Sequence, residues 1–414
     1  MTLVDVTAIV PTYNREEYLG ECLASLLEQT RPPAQLIVVD DGSTDGTQDV
    51  IRSFGSGVEH HRQDNAGKAA ALNRVLSEAR GEAIWIFDDD DVAVPDALER
   101  LTDALTAQRD VGFAFGAHDN FSAPDAPVDP RAPVLAGSVD LDDLFHGILT
   151  RRVYVFQAAM LVRKHCYEDV GPFDATFVRA QDFDMLTRLA ARFEATQVGG
   201  VVFHQRQHTG ERGPAHLRID GREVWDRQYD FDVAVARKVH QTMPLDVFLP
   251  RTDRAASPPM TSAALLRRSA AMLQWGLWDE AGEDLRALAT LPAQGSSATS
   301  SIAAAYRQGA ERMSLAIGGA TKVLDDALSL PPGPVRDELV AVLLWPVVRE
   351  GTKAALRGRF RSAEAEVLRT CGRRLRFGAL LRLGRVGARR VGAGLLQRVG
   401  RGRAGRDTSQ LQSV

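Results

Sequence analysis

The sequence predicts an α/β protein with a mixed, mainly parallel sheet flanked by helices, followed by an all-α C-terminal region. Apolar, β-branched runs of strand length alternate with helical patterns from residue 6 onward. Such alternation produces βαβ units with right-handed crossovers. After a proline-rich stretch at residues 244–259 only helical periodicity remains, which predicts the change of architecture.

The first βαβ unit is the clearest. Residues 6–10 (VTAIV) predict a buried strand, and leucines at helical spacing predict a helix over residues 16–29. Residues 36–39 (LIVV) predict a second strand, which runs directly into Asp40 and Asp41. A Gly-Ser-Thr turn then leads to a helix that ends near residue 54.

A second strand that ends in carboxylates is predicted at residues 83–87 and runs directly into Asp88, Asp89, Asp90 and Asp91, within the stretch AIWIFDDDDV at residues 83–92. Ligands of open α/β sheets bind beyond the carboxyl ends of the strands, so the two acidic ends are expected to lie at one site. Four adjacent carboxylates are compensated either by a hard divalent cation or by water. The residues alone leave both readings open, as a metal site or as a solvated acidic turn before the helix that Pro95 begins.

The remaining elements of the N-terminal part follow the same logic, apart from an irregular loop expected at residues 122–139. The predicted strands are residues 58–62, 111–116, 157–162 and 198–203, and the predicted helices are residues 68–79, the segment after Pro95, the segment after Asp184, and 222–242.

We expect a catalytic-type α/β domain at residues 1–243, a linker at 244–259, a helical domain at 260–345 and a basic tail at 346–414. The tail is helical or partly disordered, and no repeat period is evident in the helical region. Residues 349–406 contain 17 Lys and Arg but 3 Asp and Glu, although the whole chain has a net charge of −4. Such a segment suits an anionic membrane surface, and its glycines equally suit a solvated tail.

Composition limits the class of protein. The apolar (44%) and charged (25%) fractions are those of an ordinary globular chain. The three cysteines are far apart, which argues against a disulfide framework or a structural zinc site and favours a reducing compartment. No signal peptide or membrane-spanning run is expected, so we predict a cytoplasmic protein, peripheral at the inner membrane face if the tail binds lipid. No nucleic-acid motif accompanies the basic tail.

Several ordered motifs resemble family 2 glycosyltransferases of the GT-A, Rossmann-like fold. They are IVPTYNREEYLGECLASLLEQT, LIVVDDGSTDGT, DNAGKAAALN, GEAIWIFDDDDVAVPDALE, VGPFDATF and RAQDFDMLTRLA, which together span residues 6 to about 208. The resemblance implies a nucleotide-diphosphate sugar donor and a glycan, lipid-linked or small-molecule acceptor. Cell-surface polysaccharide or glycolipid synthesis is the implied context.

The resemblance also implies roles for residues around the nucleotide base. Pro11, Thr12, Tyr13 and Asp41 occupy the positions that border the base in the family. An ionised carboxylate accepts a hydrogen bond from a base imide, which suits Asp41. Asp41 as a cap or turn residue, and Tyr13 as a packed aromatic, remain alternatives.

On the phosphate side, Lys68 matches a basic position near the nucleotide, although a solvated lysine is the alternative. Asp89 and Asp90 match the DXD-like pair, with Asp89 towards the ribose and Asp90 on a Mn²⁺ or Mg²⁺ bridging the diphosphate. His208 matches a histidine near the diphosphate or metal, with a purely structural loop histidine as the alternative. The run of four Asp leaves the register of the pair open by one residue.

Gln181-Asp182 matches the acidic pair whose aspartate is the base in inverting members, although Gln181 replaces the first acid. Asp182 would take the proton of the acceptor hydroxyl, and a helix cap is its alternative role. A scaffold without turnover and a sugar-phosphate nucleotidylyltransferase are the competing functions. The latter predicts a Gly-rich basic loop after the first strand, where this chain has PTYNREEY.

Overall fold

The computed structural model describes residues 4–121, 138–151, 153–206, 224–254 and 259–291, together with 326–330, 336 and 340. The chain divides into two compact units, Met1–Ala255 and Ala256–Val414. His208, most of the predicted loop at 122–139 and the basic tail at 346–414 lie outside the described residues.

Within the described residues, the first unit contains one eight-stranded sheet in the order β3-β2-β1-β4-β7-β6-β8-β5. Its strands are β1 (Val6–Thr12), β2 (Gln35–Asp40), β3 (Glu59–Arg62), β4 (Ala83–Ile86), β5 (Val92–Ala93), β6 (Phe113–Phe121), β7 (Met160–Arg163) and β8 (Ala195–Arg206). The pairs β1–β2, β1–β4, β2–β3 and β6–β8 are parallel. The pairs β4–β7, β6–β7 and β5–β8 are antiparallel. The predicted mixed, mainly parallel sheet is confirmed.

Helices lie between the strands along the chain, as predicted. The first unit has α1 (Leu19–Leu27), α2 (Thr47–Ser53), α3 (Lys68–Leu76), α4 (Ala97–Ala107), α5 (Leu144–Leu149), α6 (Lys164–Val170), α7 (Gln181–Arg192) and α8 (Val224–Thr242). The second unit has α9 (Pro259–Gln274) and α10 (Trp278–Ala289). No helix of the described part of the chain is both long and apolar enough to cross a membrane.

Strand β1 lies between β2 and β4, and its side chains form the centre of the core. Ile9 is paired with Ile37 on one side and Ile86 on the other, and all three are almost fully buried. Since the three strands are parallel, the residues that follow each of them emerge at the same edge of the sheet. That edge therefore receives the PTYN segment, Asp40 with Asp41, and the acidic run.

The strand predicted at residues 157–162 begins later than expected. Gln157–Ala159 forms a 3₁₀ helix, and β7 starts at Met160. The carbonyl of Ala158 accepts a hydrogen bond from the indole Nε1 of Trp85 at 2.8 Å, which takes this carbonyl out of a strand ladder. Periodicity cannot foresee a hydrogen bond between residues 73 positions apart.

Residues 244–254, predicted as part of the linker at 244–259, belong to the first unit and pack within it. Phe248 is fully buried and lies edge-on to Phe145 of α5, with 5.3 Å between ring centroids. Arg254 Nη1 donates to the carbonyl of Ala191 at 2.8 Å, beyond the end of the sheet core. Prolines here initiate short 3₁₀ helices, and the boundary between the units falls after residue 255.

In the second unit, α9 and α10 are antiparallel neighbours joined by a short turn, and no strand occurs among its described residues. Arg268 of α9 reaches Asp284 of α10, with Nη2 2.5 Å from Oδ1. Asp284 is almost fully buried, so this ion pair compensates a charge that could not otherwise lie in the interface between the two helices.

Candidate active site

The acidic run forms a tight turn between β4 and β5, and its four carboxylates have different surroundings. Asp88 pairs with the ammonium of Lys68. Asp91 is buried, and its Oδ1 accepts the backbone N–H of Arg206 at 2.9 Å. Asp89 and Asp90 occupy the turn itself and are partly exposed. Within this turn, Asp91 is thus buried, whereas Asp88, Asp89 and Asp90 are partly exposed.

Arg206 contacts this turn and links it to α1. Its Nε donates to the backbone carbonyl of Asp90 at 2.9 Å, and its Nη2 lies 2.5 Å from a carboxylate oxygen of Glu21 on α1. The guanidinium also lies over two rings, 4.5 Å from the centroid of Phe121 and 5.1 Å from that of Tyr18. Sequence reasoning missed Arg206, although its place in a polar run at the end of a strand was a usable signal.

The surroundings of Asp89 shift its pKa. Burial raises the pKa of Asp89 to about 7, and Asp90 adds to the effect, while Arg15 and Thr12 lower it. Arg15 Nε lies 3.6 Å from Asp89 Oδ1, a partial neutralisation that sequence reasoning also missed. Burial is the main cause of this pKa shift and the neighbouring Asp90 adds to it, so a cation at the turn would favour the ionised form of Asp89.

Lys68, the first residue of α3, connects the acidic turn to α7. Burial disfavours its charge, but Asp88, Asp182 and Asp89 outweigh burial and raise the pKa of Lys68. Lys68 thus pairs with Asp88 of the acidic turn and is affected by the charges of Asp89 and of Asp182 on α7. A contact of Lys68 with a nucleotide remains a prediction.

Asp182 lies in the first turn of α7, one residue inside the helix. Its Oδ1 accepts the N–H of Phe183 at 2.8 Å, and the cap position is Ala180, whose φ of 61° is left-handed. Asp182 is therefore not the N-cap, which was its alternative role. Gln181 is buried, and within the described residues its Oε1 has no hydrogen-bond partner.

The aspartates after β2 organise the backbone around them. Asp40 accepts the N–H of Ser43 at 2.7 Å and pairs with Arg62 at 2.6 Å. Asp41 accepts the backbone N–H groups of Ala66 and Gly67 at 2.9 and 2.8 Å. The Nε2 of Gln63 donates a third bond to Asp41 at 2.7 Å. Asp41 thus holds the loop before Lys68, a role that was not foreseen.

The other residues predicted to border a base lie beside this loop. Pro11 and Thr12 end β1 and are buried, at the register of Val39 and Asp40 of β2. Tyr13 is half-buried outside the core, so the packed-aromatic alternative holds only in part. The next residue, Asn14, has a left-handed φ of 52°, and its Oδ1 accepts the N–H of Thr44 at 2.8 Å.

Oxygen ligands at the acidic turn suit Mn²⁺ or Mg²⁺, since hard cations prefer carboxylates. In the part of the chain that the structure describes, no three His, Cys, Asp or Glu side chains converge as a complete metal site. The Asp90 carboxylate is the ligand that the resemblance implies for such a cation, and this role remains a prediction. A ligand role for His208, which lies outside the described residues, remains a prediction.

Comparison with known proteins agrees with this geometry. Residues 7–146 match the family model described as Glycosyl transferase family 2. The resemblance to family 2 glycosyltransferases is thereby confirmed over this part of the chain.

Two relatives illustrate the extent of the similarity. The glycosyltransferase TuaG of Bacillus subtilis (strain 168) is 31% identical over 128 residues, which are 30% of this chain and 50% of TuaG. Glycosyltransferase GlyG of Streptococcus pneumoniae serotype 4 is 32% identical over 124 residues, 29% of this chain and 41% of GlyG. The chain spans half or less of the length of both.

A solved structure extends the similarity of fold. The crystal structure of S. aureus TarS residues 1–349 in complex with UDP-GlcNAc aligns with a TM-score of 0.50 and 14% identity. The alignment covers 86% of this chain and 93% of that one. At this identity the likeness concerns the fold alone, and it agrees with the GT-A fold that the sequence motifs implied.

Proposed function

We propose that the chain transfers a glycosyl group from a nucleotide-diphosphate sugar to an acceptor hydroxyl, with the help of Mn²⁺ or Mg²⁺. The observation that supports this function best is the environment of Lys68. Its ammonium pairs with Asp88 and is also close enough to Asp182 and Asp89 for both to raise its pKa. The acidic turn, which we assign to the sugar donor, and Asp182, which we assign as the base, are thus both close to Lys68.

On the donor side, we assign Asp89 to the ribose and Asp90 to the metal. Asp90 and Asp88 both add to the raised pKa of Asp89, so a cation at this turn would offset the repulsion among these carboxylates. A bound Mn²⁺ or Mg²⁺ supplies positive charge that stabilises the departing diphosphate. Lys68 offers a further positive charge on the same side of the site, and Arg206 keeps the turn in place through the carbonyl of Asp90.

On the acceptor side, Asp182 acts as general base. The acceptor oxygen forms a bond to the anomeric carbon while the bond from that carbon to the diphosphate oxygen breaks. The nucleoside diphosphate leaves with the electron pair, and the hydroxyl proton passes to a carboxylate oxygen of Asp182. Attack on the face opposite the leaving group gives inversion at the anomeric carbon.

The test is release of nucleoside diphosphate from a panel of UDP-glucose, UDP-GlcNAc and GDP-mannose with Mn²⁺, first in water and then with acceptors. We expect one donor to be turned over. Asp182→Asn should keep donor binding and reduce transfer about 10²- to 10⁴-fold, because only proton removal is impaired. Asp49→Asn, an exposed aspartate of α2, is the matched control.

Normal transfer by Asp182→Asn would show that Asp182 is not the base. Tight binding of a donor without turnover under all conditions would instead support a nucleotide-sugar-binding scaffold, the competing function that Gln181 leaves open. Formation of a nucleotide sugar from a sugar phosphate and a nucleoside triphosphate would support the nucleotidylyltransferase.

A further inference from the structure

Arg151, Tyr154 and Asp232 form a mixed aromatic and charged surface next to Phe183, the residue that follows Asp182. Tyr154 is exposed, Arg151 is partly exposed and Asp232 is largely buried. We propose that this acceptor surface binds the neutral sugar ring that carries the attacking hydroxyl. The inference rests on the proposed glycosyl transfer and adds the chemical class of the acceptor.

Arg151 follows α5 and lies across the first turn of α7. Its guanidinium carbon is 3.9 Å from the ring centroid of Phe183, the residue after Asp182. Its Nη2 is 2.6 Å from Oδ2 of Asp232 on α8. The Arg151 side chain thus contacts both α7 and α8, next to the residue that follows the candidate base.

Asp232 shares its surroundings with Asp182. Burial raises the pKa of Asp232, Arg151 opposes the rise, and the charge of Asp182 adds to it. Gln228 Nε2 donates to Asp232 Oδ1 at 3.0 Å and fixes the carboxylate on α8. The contact of Arg151 with Phe183 places the ion pair near the candidate base, and the effect of Asp182 on the pKa of Asp232 agrees with this placement.

Tyr154 supplies an aromatic face next to the ion pair. The Arg151 guanidinium lies 5.5 Å from its ring centroid, and 37% of Tyr154 is exposed. Among the described residues, Tyr154 and Tyr229 are the exposed large hydrophobic side chains. An exposed ring costs free energy in water, and one placed beside a catalytic-type carboxylate is suited to a ligand with an apolar face.

The backbone at Arg151 is also unusual. The non-glycine residues with left-handed φ in the described part of the chain are Asn14 (52°), Arg151 (51°) and Ala180 (61°). Asn14 belongs to the PTYN segment, and Ala180 precedes Gln181-Asp182. Such conformations are disfavoured for residues that carry a Cβ, and they cluster at functional sites. Arg151 shares this property with the two segments that already border the candidate site.

The chemistry of the surface favours a neutral sugar. Asp232 neutralises Arg151, so this ion pair adds no net positive charge that would favour a phosphorylated acceptor. Sugar hydroxyls donate to the Asp232 carboxylate and accept from the Arg151 guanidinium. The C–H face of a pyranose ring packs against an aromatic ring such as that of Tyr154. A neutral pyranoside satisfies all three groups together.

The experiment uses the full chain with the donor that the panel identifies, and methyl glycopyranosides as neutral acceptors. We expect a methyl glycoside to accept the sugar, and sn-glycerol 3-phosphate to be a poor acceptor. Tyr154→Ala should raise the acceptor KM about tenfold, and Tyr154→Phe, which keeps the ring, should stay within about twofold. Neither change should alter the dissociation constant of the nucleoside diphosphate.

Arg151→Met should also raise the acceptor KM, and Arg192→Met, which removes an exposed arginine of α7, is its matched control. Loss of Arg151 leaves Asp232 without its ion-pair partner and could destabilise the fold. Tyr154 is exposed, so Tyr154→Ala tests the acceptor surface without this effect. An unchanged acceptor KM in Tyr154→Ala, or preference for glycerol 3-phosphate over every methyl glycoside, would overturn the inference. Absence of any donor turnover would instead count against the proposed function.

Discussion

Replacing Asp41 by asparagine distinguishes two roles of one buried carboxylate. The family resemblance places Asp41 at the nucleotide base, whereas the structure shows it holding residues 63–67. Both backbone N–H groups at Ala66 and Gly67 donate to it, and Gln63 donates a third bond. If these bonds define the loop, their loss is measurable without any nucleotide.

The expected magnitude follows from the geometry. A hydrogen bond to a charged acceptor contributes about 1.5–3 kcal/mol. Asparagine keeps one acceptor oxygen, but its amide N–H₂ must face one of the two backbone donors. The amide of Gln63 can rotate to restore its own bond. We therefore expect Asp41→Asn to destabilise the loop by about 2–4 kcal/mol.

Hydrogen exchange followed by mass spectrometry reports on these N–H groups directly. The peptide that contains Ala66 and Gly67 should exchange about 30- to 700-fold faster in Asp41→Asn, the rate equivalent of that free energy. Asp64→Asn makes the same charge change in the same loop. Asp64 is exposed, so this control should change the loop by less than about 0.5 kcal/mol.

The two roles predict opposite patterns. Unchanged exchange at Ala66 and Gly67, together with an altered preference among UDP, GDP and CDP, would refute the loop role. It would leave Asp41 as a residue that reads the base. Faster exchange with an unaltered base preference would support the loop role.

Three further outcomes are expected. Asp90→Ala should remove the Mn²⁺-dependent part of the thermal stabilisation by UDP, and an equal Mn²⁺ effect in both proteins would exclude Asp90 as a ligand. Arg206→Met should lower the free energy of unfolding by about 2–3 kcal/mol, since a bond to a carbonyl and contacts with two rings are lost, with Arg206→Lys intermediate; an unchanged urea midpoint would contradict this. Burial lowers the pKa of His118 to about 4 from its usual 6.5. The unfolded chain then binds more protons between those values, so stability falls as pH drops from about 6.5 to 4, by roughly 3 kcal/mol. His118→Phe should make the free energy of unfolding less dependent on pH. An equal loss of free energy of unfolding between pH 7 and 4.5 in both proteins, measured by urea unfolding, would disprove this.

The fold could be predicted from the sequence because its signals are local. Apolar runs such as residues 6–10 and 36–39, and leucines at helical spacing, report burial within one element. Their alternation limits the topology to parallel βαβ units. Prediction was least accurate where a distant group intervenes, as at Ala158, whose carbonyl is bound by Trp85, and at Phe248, which anchors the predicted linker.

The candidate site could be predicted in part. Ordered motifs predict the acidic turn, Lys68 and Asp182. In the structure, Lys68 pairs with Asp88 of the turn, and the charge of Asp182 affects the pKa of Lys68. Arg206 and Arg151 belong to no motif that would distinguish them from the other arginines of the sequence. Their importance arises from burial and from partners on other elements, which no local pattern contains.

The sequence by itself determined that acidic residues follow two buried strands and that a further acid begins a helix downstream. Only the tertiary structure decided which carboxylates are used internally: Asp91 by the backbone of Arg206, and Asp41 by the loop before Lys68. The physical reason is that a carboxylate's role depends on the donors within about 3 Å. Here those donors come from residues up to 115 positions away in the chain.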